Sequence, residues 1–429
     1  MKKNVLVFPC GSEIGLEIYR SLAFSTHFNL VGGSSVDDHG KFVYSNYIDD
    51  IPFINSPYFI DEINRIIDEY EIKYIFPAHD DVVVKLSQES SKGNLHCTVI
   101  TAPVKTCEIT RSKKKTYETL SGIINIPNVF SDINKISDKD FPVFLKPDVG
   151  QGSKGTYKAN SLEDVEFYIQ KDPSLLILEY LPGKEYTVDC FTNTKGELLF
   201  CEGRERVRVQ NGISVSSSTS TNEDFRKIAE KINKTFDLKG VWFFQLKENN
   251  QGKLALMEIA PRVAGTMGLV RCKGVNLPLL SLFNEAGYDV TITQNDCSII
   301  VDRALQSRYH HNIKYSHVYI DFDDLVVFDY KVNPLVLAFV YQSINNGIKI
   351  HLITRHKGDI SMTLEKYRLS NIFDEVIHLE VNDEKHRYIK EKDAIFIDDS
   401  FAERKSIHEE CGIPVFDVHM IEGLMEEAI

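Results

Sequence analysis

Three segments decide the reading of this chain: FPVFLKPDVGQGSKG (residues 141–155), LILEYLPGKEYTVD (176–189) and FFQLKENNQGKLALMEIAPR (243–262). The first is a short apolar run, so it reads as a buried strand. Lys146 stands at its end, where the strand meets solvent or ligand, and Pro147 follows. The loop 150–155 carries three glycines, which permit positive φ and close backbone approach. Its N–H groups, those of Gly152 and Ser153 included, can therefore wrap phosphate oxygens. No GKS or GKT opens a following helix, so this is not a Walker loop. Taken alone, it reads equally well as a hairpin tip with a snorkelling lysine.

The second segment is another apolar strand ending in the turn signal Leu181-Pro182-Gly183. Glu179, Tyr180 and Leu181 sit where a backbone edge can pair with an adenine, and Glu185 where a carboxylate can take a ribose hydroxyl. The third reads as a hairpin, with its turn at Asn249-Asn250-Gln251-Gly252. Gln245 and Glu258 interrupt its apolar strands. A solvated strand face would explain Glu258, but Leu256, Met257 and Ile259 beside it argue against full solvation. An unpaired carboxylate in such a strand is costly unless a cation meets it, and oxygen ligands suit Mg²⁺.

As a set, these segments resemble the ATP-grasp superfamily, in particular its carbamoyl-phosphate synthase large subunit and carboxylate–amine ligase branches. Ser112-Lys113-Lys114-Lys115-Thr116-Tyr117 resembles the segment entering that domain, and Arg204-Glu205-Arg206 ahead of Gly212 and Ser214 resembles its arginine-rich strand. The resemblance implies ATP and Mg²⁺, with Mn²⁺ an acceptable substitute. It implies that Lys113 and Lys146 hold phosphates, with Arg206 beside them, and that Glu179, Tyr180, Leu181 and Glu185 frame adenine and ribose. Gln245 and Glu258 would carry the metal, and Arg262 would stabilise the transferred phosphoryl group. One departure stands out: the family often has Glu-x-Asn where this chain has Glu258-Ile259-Ala260, which implies altered metal geometry.

KKNVLVFPCGSEIGLEIYRSL (2–22) reads as a strand, a glycine turn and an amphipathic helix; NLVGGSS (29–35) reads as a second strand. FIDEINRIIDEYEIKYIFPAHDD (59–81) reads as helix then strand. Such alternation implies a parallel Rossmann-like sheet. The turn lacks a full GxGxxG, which disfavours a nicotinamide site. By resemblance this is the domain preceding ATP-grasp modules, with His79, Asp80 and Asp81 either at an acceptor pocket or simply capping a strand end.

Beyond about residue 310 a new pattern begins. HVYIDFDDLVVFD (317–329), IKIHLITRH (348–356) and DAIFIDDSFAER (393–404) read as strands with acidic or hydroxyl residues at their carboxyl ends, where open α/β sheets place sites. VNPLVLAFVYQSINNG (332–347) and the stretch around DEKHRYIKEK (383–392) read as the intervening helices. The arrangement resembles the haloacid-dehalogenase (HAD) superfamily. The resemblance implies Asp321 as nucleophile, Asp323 as acid/base, and Thr354 on a phosphate oxygen. Lys385 would neutralise charge, with Lys390 in reserve. Asp321, Asp323, Asp398 and Asp399 would hold the metal. Leu325 stands where the family usually has Thr or Val. The intervals are too short for a cap domain.

The expected organisation is α/β multidomain: a Rossmann-like pre-ATP-grasp domain (1–105), an ATP-grasp α+β domain (106–305) and a capless HAD-like Rossmannoid domain (312–429). Length agrees, since 429 residues suggest about three domains. A net charge of −13 disfavours nucleic acid. Eight cysteines without CxxC spacing suggest reduced thiols in a cytoplasmic protein. The N-terminal apolar run breaks at Gly11, too early for a signal peptide, and no run approaches a spanning helix. NGISVSSSTSTNED (211–224) reads as a mobile loop near the acceptor site.

The activity expected is a ligase that activates a carboxylate as an acyl phosphate for attack by an amine. It would be fused to a phosphatase or phosphotransferase acting on a phosphorylated metabolite, and a homodimer is compatible with this. Two alternatives remain open: bicarbonate and carboxyphosphate as in carbamoyl-phosphate synthase, or a catalytically silent HAD-like module for binding or dimerisation.

Overall fold

The structure is a computed structural model describing residues 2–425, to which all counts of elements refer. Two compact units are formed, Met1–Leu305 and Gln306–Ile429.

The run KNVLVF is β1 (Lys3–Phe8), with Val5, Leu6 and Val7 fully buried. Ser12 caps α1 (Glu13–Leu22), its hydroxyl accepting from the Gly15 N–H at 3.0 Å. A Cβ on Gly15 would lie 2.2 Å from the Cys10 carbonyl oxygen, so only glycine lets this helix start so close to the strand exit. Next come β2 (Phe28–Gly33), β3 (Tyr47–Ile48), α2 (Phe59–Glu69), β4 (Ile72–Pro77), α3 (Asp80–Ser91) and β5 (Thr98–Val99). All five strands are parallel, in the order β3-β2-β1-β4-β5.

Helix α4 (Val104–Arg111) runs into α5 (Lys113–Leu120), with Ser112 capping the second. Strands β6 (Val129–Phe130), β7 (Val143–Pro147), β8 (Tyr157–Ala159) and β9 (Leu175–Glu179) form an antiparallel sheet in the order β6-β9-β7-β8, with α6 (Leu162–Lys171) beside it. A larger sheet follows, ordered β14-β13-β10-β11-β12-β15. Its strands are β10 (Glu185–Thr192), β11 (Leu198–Gln210), β12 (Ile213–Ser220), β13 (Gly240–Glu248), β14 (Leu254–Ala260) and β15 (Ile300–Asp302). Helix α7 (Glu223–Thr235) covers one face with Phe225, Ala229 and Ile232. Helices α8 (Gly268–Cys272) and α9 (Leu277–Glu285) complete the unit. One core joins Val5, Phe28 and Phe76 of the first sheet to Phe191, Phe243 and Leu282.

The serine-rich stretch expected as a mobile loop is instead largely β12, paired with β11 and β15. Ser214, Ser216 and Ser217 are buried, and the Ser214 and Ser217 hydroxyls bond each other at 2.8 Å. Small hydroxyl side chains fit inside a sheet once they satisfy one another, so polar composition alone misleads here.

The second unit holds a parallel sheet ordered β20-β19-β16-β21-β22. Strand β16 (His317–Ile320) is central. A two-residue hairpin, β17 (Val327–Phe328) and β18 (Lys331–Val332), leads to α10 (Pro334–Asn345) and β19 (Lys349–Thr354). Then come α11 (Ile360–Lys366), β20 (Glu375–His378), β21 (Ala394–Ile397), α12 (Phe401–Cys411) and β22 (Val415–Phe416). The stretch around 383–392 is not a helix: it makes one 3₁₀ turn, Lys385–Tyr388, and the helix of that interval is α11. Leu325 is fully buried in this unit's core, which accounts for a large apolar residue there. All eight cysteines are free. No helix among the described residues is long and apolar enough to cross a membrane.

Candidate active sites

In the first unit, Gln245 on β13 and Glu258 on β14 stand directly opposite each other, beside a register shift at Gln245/Leu246. The Glu258 side chain makes no hydrogen bond or ion pair among the described residues. It is nevertheless the carboxylate felt by Lys113, Lys146, Arg206 and Arg262. Two sheets and α5 thus turn basic side chains toward one acidic point.

Lys146 is buried on β7, and its ammonium donates to the Tyr117 hydroxyl at 2.9 Å. Burial, opposed by Glu258 and Glu185, brings its pKa down to about 8. Tyr117 in turn donates to the Met257 carbonyl at 2.8 Å, tying α5 to β14. Lys113 begins α5 and donates to the Asp148 and Gly150 carbonyls at 3.3 and 3.4 Å; burial lowers its pKa also. The Asp148 carboxylate accepts from the Ser112 hydroxyl and the Lys114 N–H, which fixes the loop start to the helix start.

Gly152 and Ser153 lie at the exposed tip of the glycine loop, both with positive φ (62° and 53°). The tip of the β11–β12 hairpin rests on them. Gly212 has φ +75°, and a Cβ there would come within 2.4 Å of the Gly152 carbonyl carbon. Arg206 holds this tip by donating to the Gly212 carbonyl at 2.8 Å while ion-pairing Glu185 at 2.8 Å. Glu185 also faces Lys247 at 3.5 Å, so the carboxylate expected at a ribose already has two cationic partners. The Glu179 carboxylate accepts from the Asn128 N–H at 3.2 Å, Leu181 is buried, and Tyr180 lies under the Lys158 ammonium at 4.5 Å.

Arg262, just past β14, is gripped by Asp80 through two bonds, Nε to Oδ1 at 2.6 Å and Nη2 to Oδ2 at 2.9 Å. Burial disfavours the Asp80 charge, but Arg262 outweighs it and holds that carboxyl below the usual range. Asp81 pairs Arg111 at 2.7 Å, and Arg111 reaches the Gly150 carbonyl at 3.2 Å. His79 accepts from the Asp81 N–H as the cap of α3. The 79–81 segment is therefore both a helix cap and an anionic brace for two arginines. Sequence reasoning gave no role to Tyr117, Arg111 or Asp148. Tyr117 alone left a trace, four residues and so one helical turn after Lys113.

The donors present fit Mg²⁺ at Gln245 and Glu258: a carboxylate without a protein partner faces a carboxamide across one strand pair. Ala260 brings no ligand and is packed into the core.

In the second unit, Asp321 directly follows β16 and Asp398 directly follows β21. Lys385 bridges them, at 2.9 Å to Asp321 and 2.6 Å to Asp398. Burial, reinforced by the neighbouring Asp321, raises the Asp398 pKa to about 6; burial likewise raises Asp321. Carboxylate oxygens of Asp321, Asp398 and Asp399 lie within 4.8 Å of one another, a donor set that suits a hard divalent cation. Asp323 is outside this cluster and accepts from His356 Nδ1 at 2.9 Å. His356 was not singled out from the sequence, although it directly follows Thr354-Arg355. Thr354 is buried at the end of β19. Lys390 is on the surface, 3.8 Å from Glu375 and away from the aspartates.

The architecture of the first unit is that of the ATP-grasp fold. A family model described as ATP-grasp in the biosynthetic pathway with Ter operon matches residues 171–306. D-alanine–D-alanine ligase of Fusobacterium nucleatum is 27% identical over 145 residues, 31% of this chain and 50% of the relative. The chain thus spans about half the length of that curated relative. Among solved structures, the biotin carboxylase domain of Hydrogenobacter thermophilus 2-oxoglutarate carboxylase, complexed with MgADP and bicarbonate, superposes with TM-score 0.57 at 16% identity, covering 70% of this chain and 74% of that one. L-amino acid ligase from Bacillus licheniformis gives TM-score 0.53 at 15% identity, covering 66% and 74%.

Proposed function

We propose that the first unit uses MgATP to phosphorylate a carboxylate, giving an acyl phosphate that an amine then attacks with release of phosphate. The observation that carries this is the excess of cationic groups around one unpaired carboxylate. Lys113, Lys146 and Arg206 all feel Glu258. Although Glu185 also pairs Arg206 and Asp148 lies by Lys113, the Glu258 side chain itself has no hydrogen bond or ion pair among the described residues, which suits a polyanion arriving with its metal. Gln245 and Glu258 would hold Mg²⁺, which would supply positive charge to the phosphate oxygens. Lys113 and Lys146 would position the phosphates, with the N–H groups of Gly152 and Ser153 closing over them. Arg262, aimed by Asp80, would meet the charge developing on the transferred group. Glu179, Tyr180, Leu181 and Glu185 would line the nucleoside end.

The test is ADP release by the full chain over a panel of carboxylates and amines, with Glu258→Gln as control. Turnover unchanged in that variant would overturn the assignment. The bicarbonate in the Hydrogenobacter domain favours a second reading, and ADP release with bicarbonate and no organic acid would establish it.

For the second unit we infer HAD-type phosphoryl transfer. The Asp321 carboxylate would attack phosphorus and expel the alcohol, with Asp323 supplying the leaving group's proton. Water activated by Asp323 would then hydrolyse the aspartyl phosphate. Thr354 and Lys385 would bind phosphate oxygens, and Asp321, Asp398 and Asp399 would hold Mg²⁺. The twofold grip of Lys385 on Asp321 and Asp398 supports this reading. Phosphatase activity measurable in the wild type and lost in Asp321→Asn would exclude the silent-module reading. No activity in the wild type would favour it, and activity retained in the variant would overturn Asp321 as nucleophile.

A further inference from the structure

The end of the second unit's sheet opposite Asp321 carries a second cluster of ligating side chains. His317 begins β16, and His351 lies on β19 in register with Tyr319 of β16 and Glu375 of β20. All four side chains therefore share one face. His351 Nδ1 lies 2.9 Å from a Glu375 oxygen. An ionised carboxylate can only accept, so in the neutral His351 ring the proton is on Nδ1 and the lone pair is on Nε2. That lone pair points at His317 Nδ1, 2.9 Å away. Glu391, in the segment before β21, completes the group, with ligand atoms of His317, His351 and Glu391 all within 4.8 Å of one another. The Tyr319 hydroxyl donates to Glu391 and accepts from the Lys390 N–H at 3.2 Å, which orients the carboxylate.

We propose that His317, His351 and Glu391 form a binding site for a transition-metal dication of the zinc type, separate from the aspartate cluster. Four residues of strand, about 13 Å, divide His317 from Asp321. Two imidazoles and a carboxylate with a fourth position open to water are a donor set that zinc accepts and magnesium does not favour. The Glu375–His351 bond is the outer-shell contact that fixes the tautomer of a metal-ligating histidine. Tetrahedral bonds of about 2.0–2.1 Å place ligand atoms about 3.3 Å apart, so the two nitrogens need separate only by a few tenths of an ångström. On binding, the His317 proton moves from Nδ1 to Nε2 and no net proton is lost. The ion would clamp β16, β19 and the approach to β21.

The test uses the full chain, stripped with chelator and held in excess Mg²⁺ to occupy the aspartate cluster, then titrated with Co²⁺. The wild type should take up one equivalent with the visible bands of a four-coordinate ion, and Zn²⁺ should displace it. His351→Gln and Glu391→Gln should each abolish the bands while retaining the wild-type circular dichroism. Glu375→Gln should weaken binding about 10–100-fold. Absence of the bands in the wild type, or their survival in Glu391→Gln, would overturn the site.

Discussion

Asp80→Asn isolates the brace behind Arg262. The wild-type carboxylate makes two short bonds to the guanidinium, and the two side chains are only 19% and 12% exposed. Removing one member of a buried ion pair costs about 3–5 kcal/mol, chiefly because the remaining charge is stranded. Both groups keep a solvent edge, and asparagine can still accept one bond, so the low end applies: about 3 kcal/mol. That is over a hundredfold in the unfolding constant, at about 1.4 kcal/mol per decade. Urea unfolding of the full chain, followed by a probe specific to the first unit such as Trp242 fluorescence, reads this directly. The pH dependence supplies a sign. Arg262 depresses the Asp80 pKa, so its stabilisation is fully present above the unfolded carboxylate pKa of about 3.9 and is lost as pH falls through the lower folded value. The difference between wild type and variant should therefore be constant near neutrality and shrink in strong acid. A variant within about 0.5 kcal/mol of wild type at pH 7 would refute the claim that Asp80 carries Arg262.

Four further outcomes are expected. Glu258→Gln should lower ATP-dependent turnover at least about a hundredfold with a folded circular dichroism spectrum, and should push the Lys146 pKa further below about 8, since Glu258 now holds it up. Nucleotide affinity, measured calorimetrically, should fall as pH rises through about 8, where Lys146 loses its proton; a flat profile between pH 7 and 9 would count against Lys146 as a phosphate ligand. Because the folded pKa of Asp398 is raised to about 6, the second unit should lose stability as pH rises from about 4 to 6, and Mg²⁺ should recover more stability over that same window. Gly212→Ala should raise KM for ATP more than it lowers stability, since its Cβ would strike the Gly152 backbone and part the hairpin from the glycine loop.

Much of the fold was legible because its signals are local. The alternation of LVF-type runs with amphipathic stretches marked β1, α1, α2 and β4, and the Asn249–Gly252 turn marked the β13–β14 hairpin. Lys146 stood out as the charge that ends an apolar run, and Glu258 because it interrupts one. The misreadings arose where partners are distant in sequence. The serines of β12 are buried only because β11 and β15 flank them. Lys385 precedes β21 in a 3₁₀ turn, not a helix, and its pKa is held above the ordinary lysine value, against burial, by Asp321 and Asp398.

By itself the sequence determined periodicity, turn chemistry and the ordered set of charged residues that breaks it, since those depend on neighbours a few positions apart. The tertiary structure alone decided which charges are spent on one another and which remain open. Asp80 reaches Arg262 across 182 residues, while the Glu258 side chain has no hydrogen-bonding or ion-pairing partner among the described residues. The reason is that the cost of a buried charge depends on every group brought within a few ångströms of it, and only folding sets that neighbourhood.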